Sequence, residues 1–179
     1  MYLSKLNGHA AYGGYKAADI KHMLTIIGCG NLNRSDDGVG VIVVRLLLEK
    51  YQNTDLGDVQ IFDAGTDGMG VMFKARGSDS LIIIDAGDTG SEPGAVFEVP
   101  GHEMEGKPPG SFNLHDFRWD HALYSGRQIF KDEFPKDVTV YLIEAKSLEL
   151  GLELSDIAQK SAAIVVEKIA KHIDAYNAK

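Results

Sequence analysis

Short, continuously apolar runs alternate along the chain with longer stretches of helical period. Leu24-Thr25-Ile26-Ile27, stopped by Gly28-Cys29-Gly30, predicts a first strand buried on both faces. After the polar stretch Asn31 to Asp37, apolar residues at Val39, Ile42, Val43, Leu46 and Leu47 keep the spacing of a helix with one core-facing stripe. Val59-Gln60-Ile61-Phe62 predicts a second strand ending at Asp63, and Gly68 to Arg76 a short helix in which Met69, Met72 and Phe73 pack. Leu81-Ile82-Ile83-Ile84 reads as a third strand, ending at Asp85. The turn signal Glu92-Pro93-Gly94 precedes the alternating run Ala95 to Val99, a fourth strand at a sheet edge. A Gly/Pro-rich loop from Gly101 to Gly110, a helix from Asn113 to Tyr124 and a fifth strand from Val138 to Ile143 follow. Ser155 opens a long helix whose period runs through Ile157, Ser161, Ile164, Val165, Lys168 and Ile169. This alternation predicts an α/β fold: a three-layer α/β/α sandwich around a mostly parallel five-stranded sheet with one antiparallel edge strand. Residues 1–22 lack clean periodicity and read as an N-terminal extension outside the core, leaving 23–179 as a single domain.

Composition narrows the partners. The 179 residues, 44% of them hydrophobic, suffice for one core but are cramped for two. Lys+Arg number 18 against 26 Asp+Glu, a net charge of −8, which disfavours nucleic acid or an anionic membrane and leaves proteins or small molecules. A single cysteine, Cys29, excludes an internal disulfide, suits a reducing compartment and reads as a small buried apolar residue. No apolar run reaches the ~18 residues of a membrane span, and the opening residues lack the stretch of a secretory signal. The expectation is a cytoplasmic monomer.

The chemistry concentrates at the strand ends. In such sheets the reactive crevice lies beyond the carboxyl ends of the parallel strands. There the chain places Asn31 and Asp36-Asp37, then Asp63, then Asp85 with Asp88 beyond it. Carboxylates brought together repel unless a proton, an arginine or a cation relieves them. A divalent first-row metal also favours nitrogen. His9 and His22 fall in the extension, His172 near the chain's end, and His102 in the Gly/Pro loop. His115 follows that loop and can face the crevice, whereas His121, six positions on, points about 120° away on an ideal helix. Asp37, Asp85 and His115 therefore form the expected ligand set, with positions left open for substrate. Aspartates at strand ends also serve as helix caps or loop anchors, and Asp36 and Asp67 read better that way. The Gly28-Cys29-Gly30 turn carries Asn33 where a dinucleotide fingerprint has its third glycine.

Three segments resemble one family, in order. Ile27 to Gly40, IGCGNLNRSDDGVG, resembles the G-x-G-N-x-x-x-x-D-[DE]-x-x-G signature of the [NiFe]-hydrogenase maturation endopeptidases. Asp63-Ala64-Gly65-Thr66-Asp67-Gly68 is similar to that family's D-G-G-T-x-G loop, and LIIIDAGDTGSEPG, from Leu81 to Gly94, to its L-I-I-x-D-A followed by P-G. The resemblance implies a cytosolic hydrolase that removes a C-terminal extension from a hydrogenase large-subunit precursor after nickel insertion. It maps the family's metal ligands onto Asp37, Asp85 and His115, with Asp37 and Asp85 also catalytic. It also implies a peptide-binding loop of Asp63, Gly65, Thr66 and Gly68, with the Gly101 to Gly110 loop bordering the cleft. Nickel would arrive with the precursor, as a recognition element rather than a resident ion. Two rivals stand beside this reading. One is a nucleotide- or flavin-binding module using Gly28 to Asn33; the other is a chaperone that grips the precursor without cutting it.

Overall fold

The computed structural model describes residues 23–107 and 117–178. Five strands, β1 (Leu24–Cys29), β2 (Val59–Gly65), β3 (Ser80–Gly87), β4 (Val96–Pro100) and β5 (Asp137–Glu144), form one sheet in the order β2-β1-β3-β5-β4. All neighbours are parallel except the edge pair β4 and β5, where Val96 faces Ile143 and Pro100 faces Thr139. The predicted sheet, including its antiparallel edge, is thus the observed one. The predicted extension, residues 1–22, lies outside the described residues.

Four helices cover the sheet: α1 (Val39–Lys50), α2 (Gly68–Ala75), α3 (Trp119–Phe130) and α4 (Asp156–Asn177). Helices α1 and α4 enclose one apolar cluster with Ile26, Ile84 and Ile143, while α2 and α3 enclose the other with Ile27, Ile83 and Val140. Alternate residues of β1, β3 and β5 therefore face opposite cores, which is why these strands read as unbroken apolar runs. Among the described residues no helix is long and apolar enough to cross a membrane.

Three helical stripes differ from the sequence reading; on α2, Phe73, expected to pack, is 58% exposed. On α1 the buried residues include Val39, Val43, Val44 and Leu47, but Leu46 is 38% exposed. Gly40 sets this rotation: a Cβ there would lie 2.2 Å from the Ile84 carbonyl oxygen and 2.4 Å from that of Cys29. Its absence lets the first turn of α1 sit directly on the ends of β1 and β3, fixing which side faces inward. On α4 the inward face comprises Ala158, Ser161, Ala162, Val165, Val166, Ile169, Ala170 and Ile173, while Ile157 and Ile164 are exposed. Small alanines allow close approach to the sheet, so size overrides hydrophobicity in choosing that face.

Helix α3 also begins later than expected, at Trp119 rather than Asn113. Residues 113–116 lie outside the described set, and Arg118 is extended (φ −92°, ψ 172°). The chain at Phe117 and Arg118 instead crosses Gly68, where a Cβ would come within 2.1 Å of the Phe117 carbonyl oxygen.

Candidate active site

Strand order reverses between β1 and β3, because β2 lies on one side of β1 and β3 on the other. The connections leaving these strands diverge there and open a crevice at their carboxyl ends. A cleft of about 180 Å³ occupies the place, lined by Cys29, Gly30, Asp37, Gly65, Thr66, Gly68, Asp85, Phe117, Arg118 and Trp119. It brings together Asp37 from the β1–α1 connection and Asp85 from the end of β3, the two carboxylates expected to act. Gly65, Thr66 and Gly68 form part of the wall.

Asp85 is the buried member, 8% exposed. The Trp119 Nε1–H donates to its Oδ2 at 2.6 Å, and the Ala86 amide donates to its Oδ1 at 2.9 Å. Burial is the dominant influence and raises the carboxyl to about 6, against the lowering effects of those two hydrogen bonds and of the nearby Arg118 charge. Asp37 pushes in the same upward direction as burial. Burial likewise raises the Cys29 thiol well above its usual value, reinforced by Asp85, so it stays protonated and unreactive.

Other expected residues stand apart. Asp63 is absent from the cleft lining: its Oδ2 accepts from Arg45 Nη2 at 2.9 Å and its Oδ1 from the Gly65 amide at 3.0 Å. It shapes the turn that presents Gly65 rather than facing the cleft itself. His115 falls outside the described residues. His121 lies in the first turn of α3 with its ring 5.9 Å from that of Phe117, and it does not line the cleft. Among the described residues, no three His, Cys, Asp or Glu side chains gather closely enough to hold a metal. His102 follows β4 at Pro100, which pairs with Thr139 near the start of β5, so it lies at the opposite end of the sheet. The described part of the Gly101 to Gly110 loop is tied to α3, through the Glu105–Arg127 ion pair and a Gly106 amide donating to the Asp120 carbonyl at 3.3 Å. That part does not border the cleft; residues 108–110 lie outside the description.

The two expected caps diverge. Asp67 caps α2, its Oδ1 accepting from the Gly70 amide at 2.8 Å. Asp36 does something larger. Fully buried, it accepts from the Lys146 amide (2.8 Å), the Ser155 amide (2.7 Å) and the Ser155 hydroxyl (2.8 Å). It thereby clasps both ends of the β5–α4 connection to the loop carrying Asp37.

Sequence reasoning missed Arg118 and Trp119 as parts of the cleft. One signal was available: a buried tryptophan needs an acceptor for its indole N–H, and a carboxylate at a strand end supplies one. Arg118 carries no comparable mark; its side chain, 68% exposed, approaches Asp120 only loosely, at 3.7 Å.

Comparison with known proteins bears on the family. The chain is 27% identical over 147 residues to a hydrogenase 2 maturation protease of Escherichia coli, covering 82% of this chain and 87% of that one. It is 30% identical over 127 residues to the hydrogenase expression/formation protein HoxM of Azotobacter vinelandii, covering 70% of this chain but only 59% of HoxM. Its backbone is similar to that of the hydrogenase maturating endopeptidase HybD from E. coli, with a TM-score of 0.71 at 24% identity over 86% of this chain and 93% of that one. The family model described as hydrogenase maturation protease matches residues 41–172, well over half the chain, and runs from the first turn of α1 through β3 and β5 into α4. With that match added to a cleft at the switch point, the chain belongs to the hydrogenase maturation protease family.

Proposed function

We propose that this chain is a cytoplasmic, monomeric endopeptidase that removes the C-terminal extension of a [NiFe]-hydrogenase large-subunit precursor once nickel has been inserted. One observation carries the reading: Asp37 and Asp85, far apart in sequence, line a single cleft with Gly65, Thr66 and Gly68, in a chain of this family. Gly65 and Gly68 leave the wall without side chains at two points, so an extended peptide can approach the backbone there. One carboxylate of the pair takes a proton from water as the water oxygen adds to the scissile carbonyl carbon. The same proton then passes to the leaving nitrogen as the C–N bond breaks. Arg118 contributes positive charge beside two acids, and Trp119 fixes the orientation of Asp85.

Nickel belongs to the substrate in this scheme. Two cleft carboxylates are oxygen donors that suit a divalent cation, and the raised Asp85 carboxyl marks a site where added positive charge is favourable. His115 is the nitrogen donor we assign as their companion. Asp37, Asp85 and His115 would hold the precursor's nickel, which would supply positive charge in the cleft and restrict the enzyme to loaded precursor.

The test is the mass of the product. Purified protein incubated with nickel-loaded precursor should yield a chain shortened at its C-terminus. An uncut precursor held in a stable complex would favour the chaperone, and saturable flavin or dinucleotide binding without nickel binding would favour the cofactor module. Asp37→Ala and Asp85→Ala should each slow cutting more than about a hundredfold. His115→Ala should damage cutting more than His121→Ala; the reverse order overturns the choice of nitrogen ligand.

A further inference from the structure

The connection between β5 and α4 contains the run Leu148-Glu149-Leu150-Gly151-Leu152-Glu153-Leu154. Leu150 and Leu152 are 86% and 81% exposed. Such exposure of two neighbouring leucines is unfavourable unless something covers them in use. The run is not loose. Asp36 grips its flanks at Lys146 and Ser155. In its middle, the Ser35 amide donates to the Gly151 carbonyl at 2.8 Å, the Gly151 amide donates to the Asn33 carbonyl at 3.1 Å, and Arg34 Nε donates to the Leu148 carbonyl at 3.0 Å. The backbone is thus held in one shape with the leucines turned outward.

Beside it runs an apolar groove of about 390 Å³, lined by Leu32, Ile42, Leu46, Leu152 and Leu154. This groove explains why α1 leaves Leu46 partly uncovered. Groove and cleft share one piece of chain: in the β1–α1 connection Leu32 and Ser35 line the groove, while Gly30 and Asp37 line the cleft. The cleft, about 180 Å³, has room for only a few residues, whereas a specific protein interface covers about 800 Å² on each partner. A protease whose substrate is a protein must therefore touch it beyond the cleft. Exposed Glu149, Glu153 and Asp156 rim the leucines with three negative charges, against two positive ones from exposed Arg34 and Lys146 at the start of the run.

We propose that the Leu148 to Leu154 run and its groove form the docking surface for the folded body of the precursor, receiving an apolar segment with basic flanks that lies outside the cleaved extension. The inference rests on the precursor being the substrate. A surface already rigid loses little freedom on binding, so the leucines act as preformed anchors. Their attachment to the Asp37 loop sets the distance from docking surface to scissile bond.

The experiment compares wild type with Leu150→Ser/Leu152→Ser and with Glu149→Lys/Glu153→Lys, using nickel-loaded precursor for both calorimetric binding and steady-state cutting. The changed side chains are exposed, and thermal melting verifies that each variant is folded. The leucine variant should raise Kd and KM at least tenfold while kcat stays within twofold. The charge-reversed variant should weaken binding severalfold at low salt and less at high salt. Unchanged Kd and KM in the leucine variant overturn the docking surface. So does a greater loss from Phe73→Ser/Ile129→Ser on the opposite face, or a wild-type dimer in sedimentation that the leucine variant dissolves. If wild type binds the precursor but never cuts it, the enzymatic reading fails while the Kd comparison still decides the docking.

Discussion

Asp36 and Asp85 are both buried carboxylates near the carboxyl ends of the strands, and they do opposite work. Asp36 is met by two backbone amides and a hydroxyl within 2.8 Å, with the Ser147 amide at 3.4 Å as a fourth donor. Asp85 has the Trp119 indole and its neighbour's amide, and burial lifts its carboxyl to about 6. A carboxylate surrounded by donors is an anchor, since hydrogen bonds replace the water it lost. One buried with fewer donors beside an open cleft retains a demand for a proton or cation, and that demand is what a reaction can use. Donor number, rather than burial, separates the structural acid from the chemical one.

The largest effect expected from this contrast is at the anchor. Asp36→Ala strands several buried donors at once and should cost about 3–5 kcal/mol of stability, measured by urea unfolding. A loss below ~1 kcal/mol would mean that the β5–α4 connection is held by its Gly151 bridge alone, and the comparison would collapse. At Asp85 the sign reverses. The folded carboxyl keeps its proton up to about pH 6, whereas the unfolded one releases it near 4, so ionisation disfavours the native state. Its favourable contribution is complete below about pH 4 and is lost as pH rises through about 6. Asp85→Asn, which cannot ionise, should therefore gain stability relative to wild type as pH rises, by about 2 kcal/mol between pH 4 and 7.5 in metal-free protein. A difference that does not change with pH would show Asp85 to be as well satisfied as Asp36.

Much of this arrangement was legible in the chain. Runs such as Leu81 to Ile84 announce strands buried on both faces, and the glycine-flanked alternation Ala95 to Val99 announces an edge, because each pattern reflects one local environment. Asp37 and Asp85 could be placed at one rim since strands alternating with helices run parallel, which brings their carboxyl ends to one edge. What local pattern could not supply was orientation. Leu46, Ile157 and Ile164 fit a helical period yet lie exposed, because the close approach of Gly40 and of the α4 alanines selects a neighbouring stripe. Asp63 looked like a wall residue, but the Arg45 guanidinium turns it aside, and nothing near Asp63 in sequence reveals that partner. Asp36 read as a cap because its real donors lie more than a hundred residues away.

The smallest effect sharpens the comparison most, because it changes the donor number at Asp85 without touching the acid. Trp119→Phe keeps most of the aromatic volume in a position only 5% exposed but deletes the indole N–H that meets Oδ2. Two losses are then superimposed: a packing loss of about 1 kcal/mol, present at every pH, and the loss of a hydrogen bond to a charged group, about 1.5–3 kcal/mol, felt only where Asp85 is ionised. Unfolding measured at pH 4 reads the first, and at pH 7.5 the first plus part of the second, since the carboxyl, raised further, is then incompletely ionised. The variant should therefore be more damaged at pH 7.5 than at pH 4 by about 1–2 kcal/mol, with the Asp85 carboxyl moved further above 6. In an Asp85→Asn background the pH-dependent part should vanish while the packing loss persists. Equal damage at both pH values would make the indole a space-filler, and donor number would no longer distinguish the two aspartates.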